Sequence, residues 1–260
     1  MRFLPPGPPH SDVRGGLRIF VASLGACASA VLAGSCYLAR VAHAVTEERR
    51  RYADAPCLPG EGSIRLGELL PKAVHRIDIE VGPGRGGFLF ERLQSEPNLG
   101  MMAFEVSRKW STLVNQRLAR LGLADRGRVF AEDARQALPR LEPPGEVACV
   151  YFHFPDPWWK KRHQKRLVMG SGMLDQVARL LRPGGELFVQ TDVEDRAERY
   201  ETQISGHAAF EAYGEPRAVG DAGTSARLAE NPYGARSHRE RRAIDDAIPI
   251  YRLRFRRVTP

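Results

Sequence analysis

The sequence predicts an α/β protein with a parallel sheet and helices on both faces. Three observations lead there. From about Ser63, short apolar runs alternate with segments of helical period, the rhythm of βαβ units. Val147 to Phe154 is nearly all apolar, as a central strand buried on both faces requires. Asp78-Ile-Glu-Val-Gly82-Pro-Gly84-Arg-Gly86-Gly87-Phe88 carries a strand into a glycine-rich turn and on into a helix.

The elements follow in order. His75 to Val81 alternates Ile77, Ile79 and Val81 against Asp78 and Glu80, which is strand period. Phe88 to Gln94 opens a helix, and Met101 to Phe104 is the next strand. Val106 to Leu121 has helical period, with Trp110, Leu113, Val114, Leu118 and Leu121 on one stripe. Val129 to Ala131 is a strand and Ala134 to Leu141 a short helix. Val168 to Leu181 is helical and stops at the breaker Arg182-Pro183-Gly184-Gly185. Glu186 to Gln190 is a strand and Val193 to Ile204 a polar helix. Gly206 to Arg236 is rich in glycine, alanine and charge and shows no clear period. Tyr251, Leu253 and Phe255 alternate with Arg252, Arg254 and Arg256, a half-buried strand near one edge.

Residues 1–60 read as an extension and 61–260 as the folded domain. Ile19 to Ala39 is an uncharged run long enough to span a bilayer, yet only seven of its residues are Leu, Ile, Phe or Val. Basic residues flank it on both sides, so orientation is poorly specified. A disordered or weakly helical stretch behind an early start codon, a membrane anchor and an export signal all compete, and the first is favoured.

A net charge of +8 favours polyanionic partners. Cys27, Cys36, Cys57 and Cys149 make no CxxC pair and no Cys/His metal spacing, so neither a metal site nor a disulfide framework is expected. Cys149 reads as core.

The glycine turn gains meaning from the acids around it. Glu80 precedes it and can face a cationic ligand. Glu105 ends the next strand, where a carboxylate can accept ribose hydroxyls. Asp133 ends the third, where an adenine amino group could be read. A carboxylate before the turn suits a sulfonium with an amino-acid tail better than a pyrophosphate, which favours S-adenosylmethionine over NAD.

The stretch from Tyr151 to Arg166 adds a second signal. Asp156 stands between Pro155 and Pro157, which restrict its backbone. Trp158 and Trp159 follow, and then Lys160, Lys161, Arg162, Lys165 and Arg166, suited to phosphates. Arg241, Arg242 and the arginines from 252 to 257 extend the expected positive surface.

With these residues in view, the chain from about Gly67 to Phe255 resembles the bacterial tRNA (guanine-N7)-methyltransferases. Phe154-Pro-Asp-Pro-Trp-Trp-Lys160-Lys-Arg162-His163-Gln-Lys165-Arg166 is similar to their signature FPDPWxKxRHxKRR. The glycine turn, Gln190-Thr191-Asp192 and Ser237-His-Arg-Glu240-Arg241 are similar to three further family segments. The resemblance implies a Rossmann-like class I methyltransferase fold, with a seven-stranded, mostly parallel sheet whose last strand is antiparallel. It implies methylation of guanine 46 in the tRNA variable loop, S-adenosylmethionine as cofactor and a cytoplasmic protein without stable membrane association. Cofactor contacts fall on Glu80, Gly82, Gly84, Glu105, Asp133, Ala134 and Asp156. Substrate contacts fall on Lys160, Asp192, Ser237, His238, Arg239 and Glu240. RNA contacts fall on Arg162, His163, Gln164, Lys165, Arg166 and Leu167. The chain departs from the pattern at Leu167 (usually arginine), Ser237 (threonine), Arg239 (an aromatic) and Gly87 (a common acid).

Guanine N7 already carries a lone pair, so transfer needs positioning and electrostatics rather than a base. Asp156 is the expected catalytic residue, stabilising the cation that forms on the purine. Asp192 is expected to hold guanine N1 and N2. Two rivals remain: a methyltransferase for another RNA base or a small molecule, and an RNA-binding module without catalysis.

Overall fold

The fold was analysed in a computed structural model, which describes residues 47, 50–71, 74–155, 168–215 and 224–258. Tyr52–Pro260 forms one compact unit, and in the first unit, Met1–Arg51, only Glu47, Arg50 and Arg51 are described. No helix among the described residues is long and apolar enough to cross a membrane. The apolar run from Ile19 to Ala39 lies outside them.

A short parallel pair, β1 (Ile64–Arg65) with β5 (Leu141–Glu142), stands apart from the main sheet. The main sheet contains β2 (Arg76–Val81), β3 (Leu99–Phe104), β4 (Gly127–Phe130), β6 (Val147–His153), β7 (Leu181–Thr191), β8 (Phe210–Ala212) and β10 (Tyr251–Arg257). Their order is β4-β3-β2-β6-β7-β10-β8, with the short β9 (Arg227–Leu228) also paired to β10. Strands β4, β3, β2, β6 and β7 run parallel, and β10 runs against each of its neighbours. The seven-stranded, mostly parallel sheet read from the resemblance is therefore present, with β9 as an addition.

Successive strand side chains point to opposite faces, and the core divides accordingly. Ile79, Met102, Phe104, Val150 and Phe152 belong to one apolar cluster, with Met173, Leu174 and Val177 of α4 (Ser171–Leu180) and Tyr200 and Ile204 of α5 (Glu194–Ser205). Met101, Ala103, Cys149 and Tyr151 belong to the other, with Phe88, Leu89 and Leu93 of α1 (Gly87–Ser95) and Val114 and Leu118 of α2 (Arg108–Arg120). Leu121 drops out of the expected stripe and is exposed. The short helix α3 (Ala134–Ala137) continues as a 3₁₀ turn to Arg140. A last helix, α6 (His238–Asp245), precedes β10.

Two local features differ from the reading by period. The breaker Arg182-Pro183-Gly184-Gly185 lies inside β7 as a bulge: Val147 pairs with Leu181, but Cys149 already pairs with Glu186. The alternation of Asp78 and Glu80 suggests a solvent face, yet both are buried. Asp78 accepts hydrogen bonds from Arg76 Nε at 2.9 Å and the Tyr151 hydroxyl at 2.7 Å, which satisfies its carboxylate inside the core. Burial nonetheless raises the Asp78 pKa against these partners.

The strand order reverses between β2 and β6. Chains leave these two strands in opposite directions along the sheet, which opens a crevice at their carboxyl ends.

Candidate active site

A cavity of about 590 Å³ fills that crevice. Glu80 comes from the end of β2, and Gly82, Pro83, Gly84 and Arg85 from the turn after it. His153 ends β6 and Phe154 and Pro155 follow it, and Thr191 ends β7 with Asp192 directly after it. Trp110 of α2, Arg196 of α5 and Ser237, His238 and Arg239 at the start of α6 complete the wall.

The glycine turn is shaped by contact. Gly86 has φ +72°, and a Cβ there would sit 2.8 Å from Val114 Cγ1, so a side chain meets both strain and a clash. A Cβ on Gly87 would lie 3.2 Å from both Arg236 O and His238 N. The missing acid at position 87 thus lets the segment before α6 close onto the turn. Arg85 reinforces this closure: its guanidinium lies 5.2 Å from the centre of the Trp110 ring and 3.3 Å from His238 Nε2.

Glu105 is held at the turn by two backbone amides. Gly84 N–H donates to Oε2 at 3.0 Å and Ser107 N–H donates to Oε1 at 2.9 Å. Each oxygen keeps a further lone pair for a ribose hydroxyl. Glu80 has no such support. Its Oε2 is buried without a hydrogen-bond partner among the described residues. Burial, with Glu105 adding its negative charge, pushes the Glu80 pKa up to about 8. A buried carboxyl with an orphaned oxygen at a cavity wall fits a cationic ligand, which supplies the charge that burial withholds.

Three groups of residues already have partners within the ligand-free chain. Asp133, read as open to adenine, caps α3 and gives its carboxylate to Arg135, whose N–H donates to Oδ1 at 2.9 Å and whose Nε donates there at 3.0 Å. The Arg135 hydrogen bonds hold its pKa below the usual carboxylate value. Glu240, read as a substrate contact, is fully buried and lies outside the cavity lining. The Ser237 hydroxyl caps α6 by accepting from Glu240 N–H at 3.1 Å. The Glu240 side chain turns inward instead of completing a capping box, and accepts from Asn231, Gln190 and Arg252 at 2.9, 3.0 and 3.2 Å. The arginines of β10, read as extending the positive surface, are half-buried and engage partners within the chain. Arg254 Nε donates to Tyr213 O at 2.6 Å, the Arg256 guanidinium lies 3.9 Å from the Tyr213 ring centre, and Arg252 serves Glu240. Arg241 and Arg242 stay exposed, as read, while pairing with Glu91 and Asp246.

The structure brings Glu80, Gly82, Gly84, Asp192, Ser237, His238 and Arg239 to one cavity. Glu105 joins through Gly84, while Asp133 and Ala134 lie outside the lining. Asp156, Lys160, Arg162, His163, Gln164, Lys165, Arg166 and Leu167 lie outside the described residues. Phe154, just before them, has φ +52°, a left-handed conformation unusual for an aromatic residue, and its N–H donates to Gln190 O at 2.7 Å. Sequence reasoning passed over His153, Trp110 and Arg85. For His153 a signal existed, since it is the one side chain able to carry a positive charge in the nearly all apolar run Val147 to Phe154.

Strand order, switch-point cavity and acid-flanked glycine turn define a class I methyltransferase, whose methyl donor is S-adenosylmethionine. The fold resembles that of the 16S rRNA methyltransferase KamB with a TM-score of 0.50 and 17% identity, over 74% of this chain and 92% of that one. A family model described as "Putative methyltransferase" matches residues 75–247. A tRNA (guanine-N7)-methyltransferase of Anaeromyxobacter dehalogenans is 36% identical over 181 residues, 69% of this chain and 85% of the relative. Its counterpart in Myxococcus xanthus is 32% identical over 179 residues, 69% and 82% of the two chains. The chain belongs to the tRNA (guanine-N7)-methyltransferase family.

Proposed function

We propose that this protein transfers the methyl group of S-adenosylmethionine to N7 of guanine 46 in the variable loop of tRNA, in the cytoplasm. The observation that carries this reading is that one cavity joins the donor-facing Glu80 and glycine turn to Asp192 and Ser237–Arg239, the segments similar to the family's substrate motifs.

When bound, the cofactor supplies an electrophilic methyl on a cationic sulfur. Glu80 takes up positive charge in a buried setting, and Glu105 anchors ribose while bonded to Gly84. Asp192 accepts from the N1 and N2 donors of guanine, a pattern that adenine lacks. Asp156 follows Pro155 of the cavity wall and stabilises the charge that builds on the imidazole ring. Lys160, Lys161, Arg162, Lys165 and Arg166 hold phosphates, so affinity falls with salt.

The test is to incubate the purified chain with labelled S-adenosylmethionine and an unmodified tRNA transcript, then treat the RNA with borohydride and afterwards with aniline. N7-methylguanosine directs strand cleavage, so a single cut at position 46 is expected. Label without cleavage would place the methyl on another atom and favour the rival reading.

A further inference from the structure

Three side-chain atoms around the donor end of the cavity are buried without a partner among the described residues: Glu80 Oε2, His153 Nε2 and Gln190 Oε1. Orphaned polar atoms are rare in folded proteins, and a cluster of them calls for a ligand. Glu80 is the expected partner of a cationic donor. His153 has no assigned role.

Its hydrogen can be placed. Gln190 Nε2 lies 3.0 Å from Glu240 Oε2 and 2.8 Å from His153 Nδ1. An amide NH₂ only donates, and the carboxylate of Glu240 fixes which end of the amide points that way. Nδ1 must therefore accept, and the neutral ring carries its hydrogen on Nε2. Burial keeps the ring neutral, pulling its pKa down to about 3. Phe88 at 4.2 Å and Phe188 at 5.9 Å between ring centres fix the ring's plane. Nε2 lies 3.8 Å from Glu80 Oε1, beyond hydrogen-bond reach, and both residues line the cavity.

A donor and an acceptor side by side match an α-amino acid, whose ammonium and carboxylate share one carbon. We infer that His153 Nε2–H donates to the carboxylate of the cofactor's amino-acid tail while Glu80 accepts from its ammonium. Gln190 is a positioning residue in this arrangement: it fixes the His153 tautomer and is itself fixed by Glu240 of α6. The inference rests on S-adenosylmethionine as the cofactor.

Calorimetry with the full chain tests it, using S-adenosylhomocysteine and 5′-methylthioadenosine, which lacks the amino-acid tail. His153→Phe keeps the ring's shape and removes the donor. Homocysteine-ligand affinity should fall about ten- to a hundredfold, the loss of a hydrogen bond to a charged group. Methylthioadenosine affinity should stay within about twofold. Equal losses for both ligands, or no loss for either, would overturn the assignment. If the wild-type chain binds neither ligand, the cofactor reading itself fails. Should His153→Phe not fold, ¹⁵N-histidine spectra of the wild-type chain decide. The ring that stays neutral at pH 5 should carry its hydrogen on Nε2 and respond to S-adenosylhomocysteine but not to methylthioadenosine. The same response to both ligands, or to neither, contradicts the proposal.

Discussion

Arg239 lies against Asp192, its Nε donating to Oδ2 at 3.0 Å. Arg239 stands where the resemblance has an aromatic residue. One Asp192 carboxylate oxygen is thus engaged by Arg239, which the proposed contact with guanine has to compete with. The Arg239 side chain is 45% exposed, so the pair itself is worth about 1 kcal/mol or less. Displacing Arg239 is therefore cheap, and losing Asp192 is not. Arg239→Met should lower KM for tRNA by up to about fivefold and leave kcat unchanged. Asp192→Ala should lower kcat/KM by about a hundredfold, since guanine donors lose a charged partner. Steady-state kinetics with a tRNA transcript measure both.

Glu80 makes cofactor binding depend on pH. With its pKa raised to about 8, the carboxyl is mostly protonated at pH 7 in the free protein. A cationic ligand favours the ionised form, so binding should release about 0.9 proton at pH 7 and tighten as pH rises toward 8. Calorimetry in buffers of different ionisation enthalpy reads the released proton directly. Glu80→Gln should abolish the release and weaken binding.

The same two buried groups set opposing slopes on the stability of the ligand-free protein. Glu80 is raised from 4.5 to about 8, so its contribution is full below pH 4.5 and is lost as pH rises to 8. His153 is lowered from 6.5 to about 3, so its contribution is full above pH 6.5 and is lost as pH falls to 3. Between pH 4.5 and 6.5 the slopes offset one another. From pH 6.5 to 8 His153 no longer contributes, while Glu80 and Asp78, both raised by burial, favour the protonated folded state, so the urea midpoint should fall. Glu80→Gln should make that limb shallower.

Gly87 permits the close approach of the Arg236–His238 backbone. Restoring an acid there, Gly87→Asp, should destabilise the protein by about 1–3 kcal/mol through overpacking. Urea unfolding checks the size. The change should also raise KM for tRNA more than for the cofactor, because the displaced segment carries Ser237 and His238.

Much of this was legible in the sequence, for identifiable reasons. Strands β2, β3, β6 and β10 and helices α1, α2 and α4 have strong periods, and the structure places them within a few residues of the expected bounds. β8 and β9 were missed because three- and two-residue strands show no period of their own. They form only because β10 offers its edges. At the site, the gathering of Glu80, Glu105 and the glycine turn at one crevice was readable because each stands at the carboxyl end of a strand with strong period. The fates of Asp133, Glu240 and the β10 arginines were not. Each is set by a partner distant in sequence or by a local ion pair that residue type alone does not reveal. Arg252 illustrates this: its alternation marks it as outward, but Glu240 and the Ala229 carbonyl draw it in.

The claim at the centre of this account is that the methyl group goes to guanine N7. A tRNA transcript carrying 7-deazaguanosine at position 46 replaces that nitrogen with carbon and leaves the N1, N2 and O6 edge intact. The expected result is binding within about twofold of the normal transcript and no transfer of label. Label appearing on the deaza transcript at the normal rate would contradict the account.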